Sequence, residues 1–432
     1  MRRVVAIVDG EHYPPVVRAA LEEIDDLVVA AVLVGGTEKL RGDGDGDGYG
    51  VPLEPSVEAA IERHQPDVVL DLSDEPVLGP PERFALASRV LALGISYEGS
   101  DFRFDPPPAT VVDVPTLAVI GTGKRVGKTA VTGHVARRLA STRRTVVVAM
   151  GRGGPPEPEV VVVRPTVETL LELSRDGRHA ASDHLETAIV AGVTTVGCRR
   201  CGGGLAGAVA VSNVLEGVSV AAGLGAELVV LDGSGAALPP VAADRRVLVA
   251  SAAQPVEVTA GYLNSYRARI ADLVVVTMAE DDAPHAELRD ALRAHMRPWT
   301  PLVRTVLRPR PLEPVDGASV AFFCTAPPER HPPLAEHLEA AHGARVTSVS
   351  GNLSDRVRLY EDLAPADADV FLVELKAAAV DVVVEEASRR GVRVVVAAND
   401  IVPLPGEAIL DDALERLAAE AVAVAREPVR SR

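Results

Sequence analysis

Two lysines constrain this chain more than any other feature. Only four of its 432 residues are Lys, at positions 39, 124, 128 and 376, in a Lys-plus-Arg total of 44. Two of them fall within Gly121-Thr122-Gly123-Lys124-Arg125-Val126-Gly127-Lys128-Thr129. Elsewhere positive charge is almost wholly Arg, a planar fork, whereas an ammonium is a compact point charge that fits between phosphate oxygens. A chain that spends its scarce lysine here points to a phosphate-cradling loop. Such a loop needs a strand before it and a helix after it, so that backbone N–H groups and the positive helix end face the anion. Thr116–Ile120 reads as the strand, and a helix is expected from about Lys128 to Ala140.

Strand-like and helical stretches alternate along the rest of the chain, which predicts an α/β fold with mainly parallel sheets. Three α/β blocks are expected. The first, residues 1–112, has strands near Val4–Val8, Leu27–Val34 and Val68–Leu72 and ends in the stiff Pro106-Pro107-Pro108. The second, residues 113–314, is P-loop NTPase-like, with further strands at Thr145–Met150, Leu228–Leu231, Val247–Ala250, Leu273–Thr277 and Val303–Leu307. Its end, Arg308-Pro309-Arg310-Pro311-Leu312-Glu313-Pro314, reads as a second Pro-rich joint. The third, residues 315–432, has strands at Ser319–Phe323, near Val346, at Val370–Glu374 and Val392–Ala397, and a closing helix over about Glu407–Ala425.

The net charge of -17 argues against nucleic acid or an anionic membrane as partner. No apolar run is long and clean enough to span a bilayer, and Met1–Gly10 reads as a buried strand rather than a secretory signal. Three cysteines do not make a disulfide framework. A cytoplasmic homo-oligomer acting on a small molecule is the expectation.

Within the loop, Gly127 lets the backbone approach an anion, Lys128 reaches the β/γ-phosphates of a nucleotide, and the Thr129 hydroxyl ligates magnesium. Gly123, Arg125 and Val126 complete the cradle, with Lys124 as a second ammonium. Thr122 stands where the common G-x-x-x-x-G-K-[ST] pattern has its first Gly, and the loop is similar instead to that of dethiobiotin synthetase. A P-loop also needs a carboxylate at the end of a neighbouring strand to support the metal. Leu228-Val229-Val230-Leu231-Asp232-Gly233 supplies Asp232. No Asn-Lys-x-Asp guanine-reading motif follows a later strand, where Thr277-Met278-Ala279-Glu280-Asp281 stands instead, so ATP is the expected nucleotide.

Arg152, in Gly151-Arg152-Gly153-Gly154, follows the strand ending at Met150, which puts it at a carboxyl edge where ligands bind. Arg199 and Arg200 lie in the glycine-flanked Cys198-Arg199-Arg200-Cys201, before a helical stretch, with a solvated loop as the alternative to a ligand-holding cluster. Paired Arg suits a bidentate grip on phosphate or carboxylate. The C-x-x-C leaves structural, redox and metal roles open. Asp43, Asp45, Asp47 and Glu54 match a calcium-loop spacing, but Pro52 and the flanking glycines suit a flexible acidic loop better. Polar clusters follow strands at Asp9–Tyr13, Tyr97–Phe104, Ser350–Arg356 and Glu374–Asp381, the last holding Lys376. Ser354 or Asp355 is suited to cap a helix.

In order along the chain, VDGEHYPPV from Val8, YEGSDFRF from Tyr97, GTGKRVGKTA from Gly121, GCRRCGGGLAG from Gly197, LDGSGAALPPV from Leu231, SGNLSDR from Ser350 and ELKAAAVD from Glu374 resemble cyclic 2,3-diphosphoglycerate synthetase. The resemblance spans nearly the whole chain. It departs at Asp232, where a longer Glu is expected, and in the Asp-Gly insert at 42–50. It implies ATP and Mg2+ as cofactors and 2,3-diphosphoglycerate as substrate, closed to the cyclic diphosphate with release of ADP and phosphate. Lys124, Lys128, Arg152, Arg199 and Arg200 would then carry the chemistry, with Thr129 and Asp232 at the metal. Two other readings compete with it. One is a dethiobiotin-synthetase-like ligase acting on a carboxylate. The other is a nucleotide-gated switch or metallochaperone using Cys198 and Cys201.

Overall fold

A computed structural model of the chain describes residues 1–36, 46–162, 164–176, 182–376 and 379–426. It is α/β throughout, with parallel strands covered by helices on both faces. Strands such as Thr145–Gly151 and Leu273–Thr277 are apolar at nearly every position and wholly buried, as strands covered on two faces must be. No helix among the described residues is long and apolar enough to cross a membrane.

The N-terminal sheet has six strands, in the order Leu53–Glu54, Leu27–Leu33, Arg3–Val8, Val68–Asp71, Ser96–Glu98 and Arg103–Phe104. Its helices start where the sequence supplies a reason. Pro14–Glu23 and Pro80–Ala92 open with Pro in the first turn, where no N–H is needed. Val57–His64 is capped by Ser56 Oγ, which accepts from Ala59 N at 3.2 Å.

The second sheet has thirteen strands and takes in the rest of the chain. From one edge run Val211–Ser212, Thr195–Cys201, Thr145–Gly151, Leu228–Asp232, Thr116–Gly121, Arg245–Ser251 and Leu273–Thr277. The sheet then continues through Leu302–Pro311, Arg393–Pro403, Val370–Glu374, Ser319–Phe323 and Arg345–Ser350, with Glu159–Val161 pairing beside Thr195–Cys201. The phosphate-loop strand, Thr116–Gly121, is central in its half, with Leu228–Asp232 on one side and Arg245–Ser251 on the other.

Two sequence expectations are corrected here. Residues 308–311 join two blocks not as a stiff linker but as the end of a ten-residue strand. Leu302–Arg304 pair in parallel with Val274–Val276, and Thr305–Pro311 pair antiparallel with Pro403–Ala397. The Leu312 amide donates to Val396 O at 2.9 Å. By the alternation of a strand, Pro309 and Pro311 turn their missing N–H groups to the opposite side, where Leu273–Thr277 has already ended. Thr195–Cys201 is likewise a strand and not a loop, pairing in parallel with Thr145–Gly151.

The antiparallel junction reverses the C-terminal half of the sheet. Val370–Glu374, Ser319–Phe323 and Arg345–Ser350 run with Arg393–Pro403 and therefore against the phosphate-loop strands. Their carboxyl ends thus turn back toward the phosphate loop. The closing helix, Leu410–Arg426, buries Leu410, Leu414, Leu417, Ala418 and Ala421, spaced as one helical stripe. That stripe lies against Leu117, Val119 and Val135, on the same face of the central sheet as the phosphate-loop helix. His134–Asp411 at 2.7 Å, Arg143–Glu415 at 2.7 Å and Arg245–Glu420 at 2.8 Å fix its outer side.

Residues 37–45, with the calcium-spaced Asp43 and Asp45, lie outside the described residues. Glu54, the last position of that spacing, is buried and paired with His64 at 2.7 Å and Arg63 at 3.1 Å.

Candidate active site

The phosphate loop leaves the strand Thr116–Gly121 and enters the helix Lys128–Ala140. Its carbonyls are tied down from outside. Asn264 Nδ2 donates to Thr122 O at 2.9 Å, Gln254 Nε2 to Lys124 O at 2.7 Å, and Thr277 Oγ1 to Val126 O at 2.8 Å. With the carbonyls held back, the amides from Gly123 to Gly127 have no backbone acceptor among the described residues. Arg125 and Gly127 both have positive φ, 61° and 78°, the alternation that curls N–H groups into an anion-binding concavity. A Cβ on residue 127 would also come within 3.2 Å of Leu307 Cδ1. Val126 is buried, and Lys124 and Arg125 are exposed.

The segment Asp232-Gly233-Ser234-Gly235, at the end of the adjacent strand, gathers the cations. Asp232 is buried, and its Oδ1 accepts from Lys128 Nζ and, at 2.8 Å, from Thr132 Oγ1. Burial pushes the Asp232 carboxyl above the usual range, against the pull of Lys128. Its Oδ2 has no donor among the described residues. Arg200 Nη2 donates to Ser234 O at 3.0 Å and Oγ at 3.2 Å. The Lys124 stem lies over Gly235, where a Cβ would be 3.6 Å from Lys124 Cγ. Buried Arg267, which sequence reasoning missed, braces the same segment by donating from Nε to Ala236 O at 2.9 Å. Desolvation lowers its pKa to about 10.

Desolvation, with Arg152 behind it, lowers the Arg200 pKa. The turn carrying Arg152 packs tightly, since a Cβ at Gly154 would sit 2.0 Å from Cys198 O. Arg199 and Arg200 are successive residues of one strand and leave it on opposite faces. Arg200 thus points toward Ser234 while Arg199 is exposed. The same alternation separates Cys198, buried, from Cys201, exposed. Burial pushes the Cys198 thiol up to about 12, and the two sulfurs do not share one ion or one disulfide.

The wall opposite Thr129 comes from the C-terminal half of the sheet. Thr129, Ala130, Gly133 and Arg137 share a cavity with Glu186, Glu374, Lys376 and Asn399. Glu186 lies on the helix Asp183–Ala191. Burial, with Asp183 and Glu374 behind it, pushes its carboxyl up to about 8, against the pull of Lys376. Lys scarcity already singles out Lys376. Nothing local marks Glu186 or Asn399.

The residues fit a magnesium ion. The Thr129 hydroxyl starts the helix, and Asp232 is a buried carboxylate with one oxygen uncommitted, as a P-loop metal site requires. The shorter Asp suits a contact made through water.

A strand–loop–helix with freed amides, a loop lysine and a strand-end carboxylate together define a P-loop nucleotide-binding enzyme. Family models for the three parts of cyclic 2,3-diphosphoglycerate synthetase match this chain: the N-terminal domain at residues 3–105, the P-loop domain at 116–305 and the C-terminal domain at 311–400. A cyclic 2,3-diphosphoglycerate synthetase of Rubrobacter xylanophilus is 51% identical over 435 residues, covering 96% of this chain and 97% of the relative. Those of Thermococcus kodakarensis, at 42% over 95% and 97%, and Methanothermobacter thermautotrophicus, at 41% over 97% and 96%, agree. The chain belongs to the cyclic 2,3-diphosphoglycerate synthetase family.

Proposed function

We propose that this chain uses ATP to close 2,3-diphosphoglycerate into its cyclic diphosphate, releasing ADP and phosphate. The observation that carries the reading is the convergence of Lys124, Lys128 and Arg200 on the Asp232–Gly235 segment beside a loop of unpaired amides. The substrate carries a charge near -4 to -5 by the usual phosphate values, on the order of that of ATP itself. Two such polyanions share a site only if several cations neutralise them.

In this proposal the amides of Gly123 to Gly127 and Lys128 hold the β- and γ-phosphates. Lys128 leaves Asp232 to do so, which frees the carboxylate to support magnesium together with Thr129. Magnesium, when bound, neutralises charge on the nucleotide phosphates. Arg152 and Arg200 hold one substrate phosphate, with Arg199 at the outer rim and Lys124 between the two ligands. An oxygen of that phosphate attacks the γ-phosphorus, the bond to the β-bridging oxygen breaks, and ADP leaves with the electron pair. The other substrate phosphate then attacks the activated one and expels inorganic phosphate, closing the ring. The protein contributes positioning and charge stabilisation rather than covalent chemistry.

Phosphorus NMR of the protein with ATP, Mg2+ and 2,3-diphosphoglycerate tests the reading. The expected result is a new cyclic anhydride resonance growing with ADP and inorganic phosphate. ADP formation without that resonance would overturn it.

A further inference from the structure

The cavity over Thr129 has a wall that phosphate-loop chemistry does not account for. Lys376 stands just past the strand Val370–Glu374, on the carboxyl edge that the antiparallel junction turns toward the loop. Its neighbour Glu374 is anchored independently. Asn399 Nδ2 donates to Glu374 Oε1 at 2.6 Å, while Thr325 N and Oγ1 donate to Oε2 at 3.3 and 3.4 Å. Lys376 Nζ lies 3.8 Å from Glu374 Oε2, beyond hydrogen-bond range. Lys376 Nζ donates no hydrogen bond within 3.5 Å among the described residues. The half-buried ammonium is thus held in a loose ion pair with Glu374, facing a cavity it shares with Thr129. Glu374 takes shorter hydrogen bonds from Asn399 and Thr325, so its position does not depend on Lys376. Glu374 first, and Glu186 after it, raise the Lys376 pKa and so favour the charged form.

We propose that Lys376 is a catalytic residue, a third lysine whose ammonium binds oxygens of the phosphoryl group as it passes from ATP to the substrate. Glu374 and Asn399 are its positioning residues. The inference rests on the reaction proposed above. Lys376 exchanges no proton: the bond from γ-phosphorus to the β-bridging oxygen breaks, the bond to the substrate oxygen forms, and the ammonium donates hydrogen bonds to the oxygens that stay on phosphorus. The C-terminal unit thereby becomes part of the active site.

Turnover of the full-length chain with ATP, Mg2+ and 2,3-diphosphoglycerate tests this. Lys376→Met is expected to lower kcat by about 100-fold while ATP KM stays within about threefold. Thermal stability should be unchanged, and Lys376→Arg should recover about tenfold of the loss. Asn399→Ala should lower kcat by about fivefold. Full turnover by Lys376→Met, or a joint loss of ATP affinity and thermal stability with no rescue by Arg, would overturn the proposal. Trapping of ADP with aluminium fluoride, a mimic of the phosphoryl group in flight, reads Lys376 without the acceptor. Lys376→Met should weaken the trapped complex by about tenfold or more and leave ADP binding alone unchanged; equal trapping sinks the role. A wild-type chain that forms no cyclic product would overturn the reaction, with the trapping result still deciding on Lys376.

Discussion

The carboxyl edges of the N-terminal and central sheets are built alike and finished differently. Both end parallel strands in acidic residues near glycine. In the N-terminal sheet Asp9 and Asp71 are satisfied from within. Asp9 accepts from the Glu11, His12 and Asp74 amides at 3.0, 3.3 and 2.8 Å and bonds His12 Nδ1 at 2.8 Å. Asp71 accepts from Tyr97 OH at 2.6 Å and Arg83 Nε at 3.0 Å, with Ser73 N at 2.9 Å. In the central sheet, among the described residues, the loop amides have no backbone acceptor, Thr122 Oγ1 is buried without a partner, and both hydrogen bonds to Asp232 fall on Oδ1. A protein leaves polar groups unpaired at a cost, so the unpaired edge is where a ligand completes the structure.

That contrast can be broken by substitution, since one edge should report in catalysis and the other in stability. Lys128→Met should abolish turnover, by about a thousandfold or more in kcat/KM for ATP measured by ADP release. Asp232→Asn should lower kcat by about 100-fold and move the Mg2+ titration of activity to higher concentration. Arg200→Ala should raise KM for 2,3-diphosphoglycerate by about 10- to 100-fold with ATP KM unchanged, because one charge-assisted contact is worth roughly 1.5 to 3 kcal/mol. At the other edge, Asp71→Ala should cost about 3 kcal/mol in urea unfolding, stranding Tyr97 and Arg83, with activity per folded molecule within about twofold. Asp71→Ala protein that stays folded yet loses activity would erase the distinction between the edges. The smallest effect is expected from Cys201→Ser, under about twofold in turnover and with no change in bound metal by elemental analysis, since Cys201 is exposed and on the opposite strand face from Cys198.

Much of this architecture was legible locally. The strands Leu273–Thr277, Ser319–Phe323 and Val370–Glu374 fall where alternation put them, because a strand buried on both faces must be apolar along its length. Asp355 caps the helix Arg356–Leu363, accepting from Arg358 N at 3.3 Å, as its residue type suggested. In the polar cluster at Ser350, Asp362 accepts from Ser350 Oγ at 2.5 Å and Asn352 Nδ2 at 2.8 Å. Two segments misled for one reason. Pro309, Pro311 and the glycines around Cys198 carry local signals for loops, and neighbouring strands overrode them. Those neighbours are remote in sequence, so no window of residues contains the information.

What the sequence determined by itself was the contiguous part of the site. Nine residues from Gly121 to Thr129 contain their own strand exit, positive-φ glycine, ammonium and hydroxyl, and adjacent bonds fix where those groups point. Tertiary structure alone decided what faces them. The antiparallel pairing of Thr305–Pro311 with Ala397–Pro403 reverses the C-terminal half of the sheet and brings Glu374, Lys376 and Asn399 over Thr129. Strand direction is set by the summed packing of whole elements, and that sum is written in no single stretch of the chain.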